Sequence, residues 1–160
     1  MELNEALAQL AELQKKLYAY QAAASALTLD EATVAPSDTA EGRGIALGVL
    51  AGEKHKLFSA PETGELLDLL WGRKDVLDQL RRQVEELRRS YAQLKRIPAQ
   101  EYMEYATLVS EAFGLWRRAK EASDFQLFRP ALEKLVAFSI KFAGYYDPAK
   151  APYDALLGEY

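Results

Sequence analysis

From Leu3 onward the apolar residues recur at Ala6, Leu10, Leu13, Leu17, Tyr20, Ala24 and Leu27, an alternating three–four spacing that puts them on one helical stripe. The stripe predicts a long amphipathic helix ending near Leu27 or Leu29. Between Thr28 and Pro36 come β-branched residues, an Asp-Glu pair and a proline that turns Ala35 away from helical backbone. Asp38 and Glu41 then have capping-box spacing, and a second helix is predicted from about Thr39 to Phe58. It contains Gly42, Gly44, Gly48 and Gly52, each costing roughly 1 kcal/mol relative to alanine in a helix interior. Gly44, Gly48 and Gly52 recur every fourth residue and form a smooth ridge open to another backbone. That ridge is a candidate interface with a second copy, or else an internal packing seam.

Pro61 and Gly64 are read as a turn, with a short helix over Glu65 to Trp71 ended by Gly72. The clearest pattern follows: Leu77, Leu80, Val84, Leu87, Tyr91 and Leu94 keep heptad spacing among charged residues until Ile97-Pro98. Pro98 suits the first turn of the next helix, predicted to reach about Glu121 with Tyr102, Ala106, Val109, Phe113 and Trp116 inward. Ser123 or Asp124 is expected to cap a last long helix, Phe125 to Tyr145, presenting Phe128, Leu132, Leu135, Ile140 and Phe142. Tyr153 to Leu157 begins one further turn, and no cap marks the stretch Leu156 to Tyr160. About five substantial helices joined by short turns, with no alternating strand, predict an all-α antiparallel array in a single helical domain over residues 1–160.

Composition narrows the function classes. The 160 residues are 49% hydrophobic and 28% charged with a net charge of −4, the profile of a chain that folds and has no electrostatic drive toward polyanions. Nucleic acid and membrane are therefore not expected partners, since no apolar run approaches spanning length either. The absence of cysteine excludes thiol chemistry and disulfides. With no signal-peptide pattern at the start, a cytoplasmic protein is expected.

His55 is the sole histidine. A catalytic zinc site needs three protein ligands and an open position, so no metal site is expected in this chain and His55 is read as structural. Asp30 and Glu31 beside Thr33 place two carboxylates on the predicted first loop, where helix capping explains them better than acid–base chemistry. No catalytic residue is assigned. Lys74, Arg81, Arg88 and Lys95 recur every seventh residue with Arg82, Arg89 and Arg96 beside them, and are read as a flank whose long stems cover the core. Tyr102, Tyr105, Phe113, Trp116, Phe125 and Phe128 are read as core aromatics at helical spacing.

Several strings, in collinear order, resemble the N-terminal region of the carboxypeptidase Taq family of zinc metallocarboxypeptidases. Ala22 to Leu27 leads into Asp30, Thr33 and Pro36, followed by Glu41, Arg43, His55 and Ser59 to Leu67. Arg89-Ser90-Tyr91, Ile97-Pro98-Ala99, Ser110-Glu111-Ala112, Trp116, Asp124-Phe125 and Leu132 to Val136 continue it, and Pro152 to Leu157 closes it. Leu29 departs from the tryptophan usual in the family. The resemblance implies a cytoplasmic, usually homodimeric enzyme that removes C-terminal residues from peptides, with zinc held by a region beyond Tyr160. This chain would cover and shape the peptide groove, lined by Asp30, Glu31 and Thr33, as a truncated piece of such an enzyme. The alternative is a free-standing helical module that dimerises or binds a partner protein without catalysis. A severed piece should expose one large continuous apolar patch, which a module evolved alone would have closed or buried in a symmetric interface.

Overall fold

Helix α1 (Leu3–Thr33) runs 31 residues, roughly 46 Å at 1.5 Å per residue. The computed structural model describes residues 1–157, in which seven α-helices and two short 3-10 turns account for the regular structure and no strand occurs. α1 passes the expected end at Leu29. Thr28 and Thr33 stay helical by donating their hydroxyls to the carbonyls of Ala24 (3.0 Å) and Leu29 (2.6 Å). Pro36 supplies the stop, after the amides of Val34 and Ala35 have both closed on the Asp30 carbonyl. Asp30, Glu31 and Thr33 thus belong to the last turns of a helix and not to a loop.

A 3-10 turn, Ser37–Thr39, leads directly into α2 (Ala40–Ser59). The expected capping box does not form: Asp38 lies inside the turn, and Thr39 at the N-cap is αR with no side-chain cap hydrogen bond. α3 spans Pro61–Gly72. Pro61 is the entrance of this helix, where a missing amide costs nothing, so the helix is longer than the sequence predicts and Gly64 lies within it. α4 (Asp78–Leu94) carries the heptad stripe, although Leu77 is its exposed N-cap residue. α5 (Ala99–Glu121), a 3-10 turn Phe125–Leu127, α6 (Arg129–Tyr146) and α7 (Pro152–Leu156) complete the chain. Residues 158–160, the end of the uncapped terminal stretch, lie outside the described residues.

The first half of α1 meets α3 and α4 around Ala6, Leu10, Leu66, Leu67, Leu70 and Val84. Its second half lies along α2, with Lys54 donating to Gln21 at 2.6 Å. The most extensive pairing is α2 on α5, and the glycine ridge is its seam. Gly44, Gly48 and Gly52 are buried and face Thr107, Ser110 and Met103 of α5. A Cβ on Gly48 would overlap Thr107 Oγ1 and stand 3.3 Å from the Met103 carbonyl. The ridge is therefore occupied within the chain. On its other side α5 stacks Tyr105 against Phe138 and Phe142 of α6, with ring centroids 5.7 and 5.2 Å apart. Burial of two faces rotates the expected phase of α5: Leu108, Ser110, Ala112 and Ala119 are buried while Val109 and Trp116 are exposed. Ile140 on α6 is likewise exposed.

Candidate functional site

Three helices bring polar groups together beside a concavity between the ends of α1 and α2 and the C-terminal half of α5. Glu31 from the end of α1, Arg43 from the first turns of α2 and Ser110 from the middle of α5 are 7%, 8% and 6% exposed. The helical continuation of α1 is what turns Glu31 inward, leaving Asp30 and Thr33 in solvent. Arg43 Nη1 donates to Thr39 Oγ1 at 2.7 Å and stands 3.9 Å from Asp30 Oδ2. Arg43 Nε lies 3.9 Å from Glu31 Oε1. That distance gives Coulomb attraction without a hydrogen bond, and Nε is a buried donor with no hydrogen-bond partner among the described residues. Ser110 Oγ donates to the Glu31 carboxylate at 3.4 and 3.5 Å, and Arg117 donates to the Glu31 backbone carbonyl at 3.1 Å. The adjoining cavity, about 510 Å3, is bounded by Glu31, Glu41, Arg43, Ser110, Phe113 and Arg117 among others.

This cluster joins the ends of α1 and α2 to α5 and offers a polar recess. Of the residues singled out in the sequence, Glu31 enters the recess, Asp30 is exposed and reaches it only through Arg43, and Thr33 spends its hydroxyl on its own helix. Arg43 and Ser110 were not singled out as site residues, yet both occur in the strings that carry the family resemblance. Arg117 had no signal, because its partner is a main-chain carbonyl. A second, smaller concavity of about 360 Å3 lies between α2 and α5, with Ile45, Val49 and Glu104 on its walls.

His55 is 3% exposed. Its Nε2 reaches the Leu94 carbonyl at 3.2 Å, its Nδ1 meets Ser59 Oγ at 3.4 Å, and Tyr102 lies against the ring at 5.0 Å. Nε2–H therefore donates to the last carbonyl of α4, and Nδ1 accepts from Ser59. Burial pushes the imidazole below its ordinary range, against the opposing pull of the Leu94 and Ile97 carbonyls. No group of three or more His, Cys, Asp or Glu side chains gathers as a metal ion would require among the described residues. No described helix is long and apolar enough to cross a membrane.

The basic flank is engaged within the chain. Arg88 pairs with Asp68 at 2.7 Å and lies over Trp71, Lys95 sits over Tyr91, and Arg81 donates to the Arg73 carbonyl. The candidate aromatics are not one pocket: Tyr102 packs on His55, Tyr105 on α6, and Phe113 on the exposed Trp116.

The sequence matches the family described as Carboxypeptidase Taq (M32) metallopeptidase over residues 9–160. It is 35% identical over 158 residues to Carboxypeptidase 1 of Bacillus subtilis (strain 168), an alignment covering 98% of this chain and 32% of that protein. The fold superposes on the crystal structure designated BsuCP with a TM-score of 0.89 at 35% identity, over 93% of this chain and 30% of that one. Against the M32 carboxypeptidase from Deinococcus radiodurans R1 the TM-score is 0.74 at 29% identity, over 97% of this chain and 31% of that one. The chain spans about a third of the length of the curated relatives it matches. With its helices in the same arrangement as theirs and its sequence matched almost throughout, the chain belongs to the carboxypeptidase Taq (M32) family of metallopeptidases.

Proposed function

We propose that this chain forms the helical wall that covers and shapes the peptide groove of a zinc metallocarboxypeptidase, acting with a catalytic region that its own residues do not supply. The observation that carries the reading is the match of nearly the whole chain to about a third of carboxypeptidases that are far longer. The metal implied by the family finds no set of ligands here: the sole histidine is engaged with Leu94 and Ser59, and no acidic cluster replaces it among the described residues. The chain's own contribution is positional. The end of α1, where Asp30 and Thr33 face solvent and Glu31 lines the recess, borders the groove. The complete enzyme is a cytoplasmic homodimer that removes C-terminal residues from peptides.

Leu29, Val34, Ile45, Leu77, Phe125 and Ile140 are all more than half exposed; scattered singly such residues occur on any monomer, so a free-standing interaction module stays the alternative reading. The test is an exchange in which this chain replaces the matched segment of the Bacillus subtilis Carboxypeptidase 1. A folded chimera that releases C-terminal residues from peptides supports the reading. A folded chimera that binds metal and releases none contradicts it.

A further inference from the structure

We propose that the groove between α2 and α5 beside Gly48 is a docking surface for the catalytic remainder of the M32 fold, and that it receives a helix whose apolar anchors are flanked by lysine or arginine. The inference rests on the reading above and adds the surface and the chemistry of the contact.

Ile45 and Val49 stand one turn apart on the outer face of α2, 56% and 49% exposed. A solvated helix face is ordinarily polar, so two β-branched apolar residues there mark a surface that something covers. Gly48, packed against Thr107 of α5, forms the floor where the two helices meet. Met103, Thr107 and Leu108 of α5 complete the apolar lining, and the cavity measures about 360 Å3. From Gln100 to Glu111 the α5 wall runs roughly 17 Å at 1.5 Å per residue, enough for a partner helix to lay down anchors three and four residues apart.

Charge specifies the occupant further. Glu104 and Glu111 line the groove, and no lysine, arginine or histidine does. Glu104 accepts a hydrogen bond from Gln100 at 3.0 Å and attracts Lys141 at longer range, and neither groove carboxylate is within ion-pair distance of a lysine or arginine among the described residues. A helix entering between them gains by carrying cations beside its apolar anchors. Length identifies where it comes from: in the relatives of known structure this helical array is about 30% of a chain, so the larger part of the fold remains to cover it.

The test compares the double variant Ile45→Gln/Val49→Gln in the isolated chain and in the exchange chimera with Bacillus subtilis Carboxypeptidase 1. Thermal unfolding is read in both, and peptide C-terminal hydrolysis in the chimera. Glutamine is a good helix former, so the isolated chain should keep its midpoint within about 2 °C. The chimera should lose roughly 5 °C or more, because two amides would then be buried without partners. Glu104→Lys/Glu111→Lys should destabilise the chimera more than the isolated chain, where it removes only the Gln100 bond and surface attraction to cations such as Lys141. An active chimera that tolerates both groove variants overturns the docking surface and leaves the proposed function standing. A groove variant equally destabilising in the isolated chain overturns it too, since the groove then serves only the chain's own packing. An inactive, unfolded wild-type chimera removes the proposed function and the docking surface together.

Discussion

Arg43 is held in the interior on unequal terms. Its guanidinium is almost fully buried and reaches the equally buried Glu31 only at 3.9 Å, so little of the cost of desolvating two charges is returned by their attraction. Removing one partner leaves the other charged and buried. Arg43→Met should lower the unfolding free energy by about 3 kcal/mol, and Arg43→Met with Glu31→Leu should recover most of that loss. Denaturant titration of the double variant and of both single variants, Arg43→Met and Glu31→Leu, checks this, and a double variant whose loss equals the sum of the two single losses would show that the pair is uncoupled. His55 is the opposite case, a buried group that desolvation holds toward its neutral form. Burial places its folded pKa below the ordinary value, which the unfolded chain retains at about 6.5. Between those two values the unfolded state binds the extra proton, so stability is whole above about pH 6.5 and falls as pH drops toward the folded pKa. Lys54 and Lys56 flank it in sequence, Ser59, Tyr102 and the carbonyls of Leu94 and Ile97 face it, and no carboxylate is hydrogen-bonded to it. His55→Gln keeps a donor for Leu94 and should flatten the pH dependence of the melting midpoint in that window; an unchanged slope would assign the dependence to other groups.

At the scale of elements, the α2–α5 seam explains why a helix of ordinary length tolerates so many glycines. Gly48→Ala should destabilise by about 1–3 kcal/mol, because the new methyl would overlap the Thr107 hydroxyl and stand 3.3 Å from the Met103 carbonyl. Gly42→Ala meets nothing within 4 Å and should stabilise by about 0.5–1 kcal/mol through helix propensity. Comparing the two melting midpoints separates packing from propensity. The end of α5 offers a further case: Ser123 is left-handed at φ 51°, with its amide on the Lys120 carbonyl and that of Asp124 on Ala119. This is a Schellman closure with serine where glycine is usual, so Ser123→Gly should raise stability by about 1 kcal/mol, read by thermal unfolding. α4 was legible because one stripe faces one core. The end of α1 was not, since residues of modest helix propensity continued until a proline removed the option. The phase of α5 was hidden because a helix buried on two sides has no single stripe to read, and Val109 and Trp116 fell outside both faces. The recess at Glu31 was half legible: the carboxylates stood out, whereas Arg43, Ser110 and Arg117 converge on them only once three helices are packed.

Across the whole molecule α1 spans two assemblies, resting first on α3 and α4 and then on α2, which is backed by α5 and α6. What it leaves uncovered is as informative as what it buries, because large apolar residues on α1, α2 and α6 remain in solvent. Such surface fits a wall awaiting the rest of an enzyme. The most direct measurement is the mass of the native polypeptide in an extract of its source cells, detected with an antibody raised against this chain. The account predicts a band about three times heavier than 17.9 kDa, since the chain covers 32% of its Bacillus relative. A band at 17.9 kDa would contradict it.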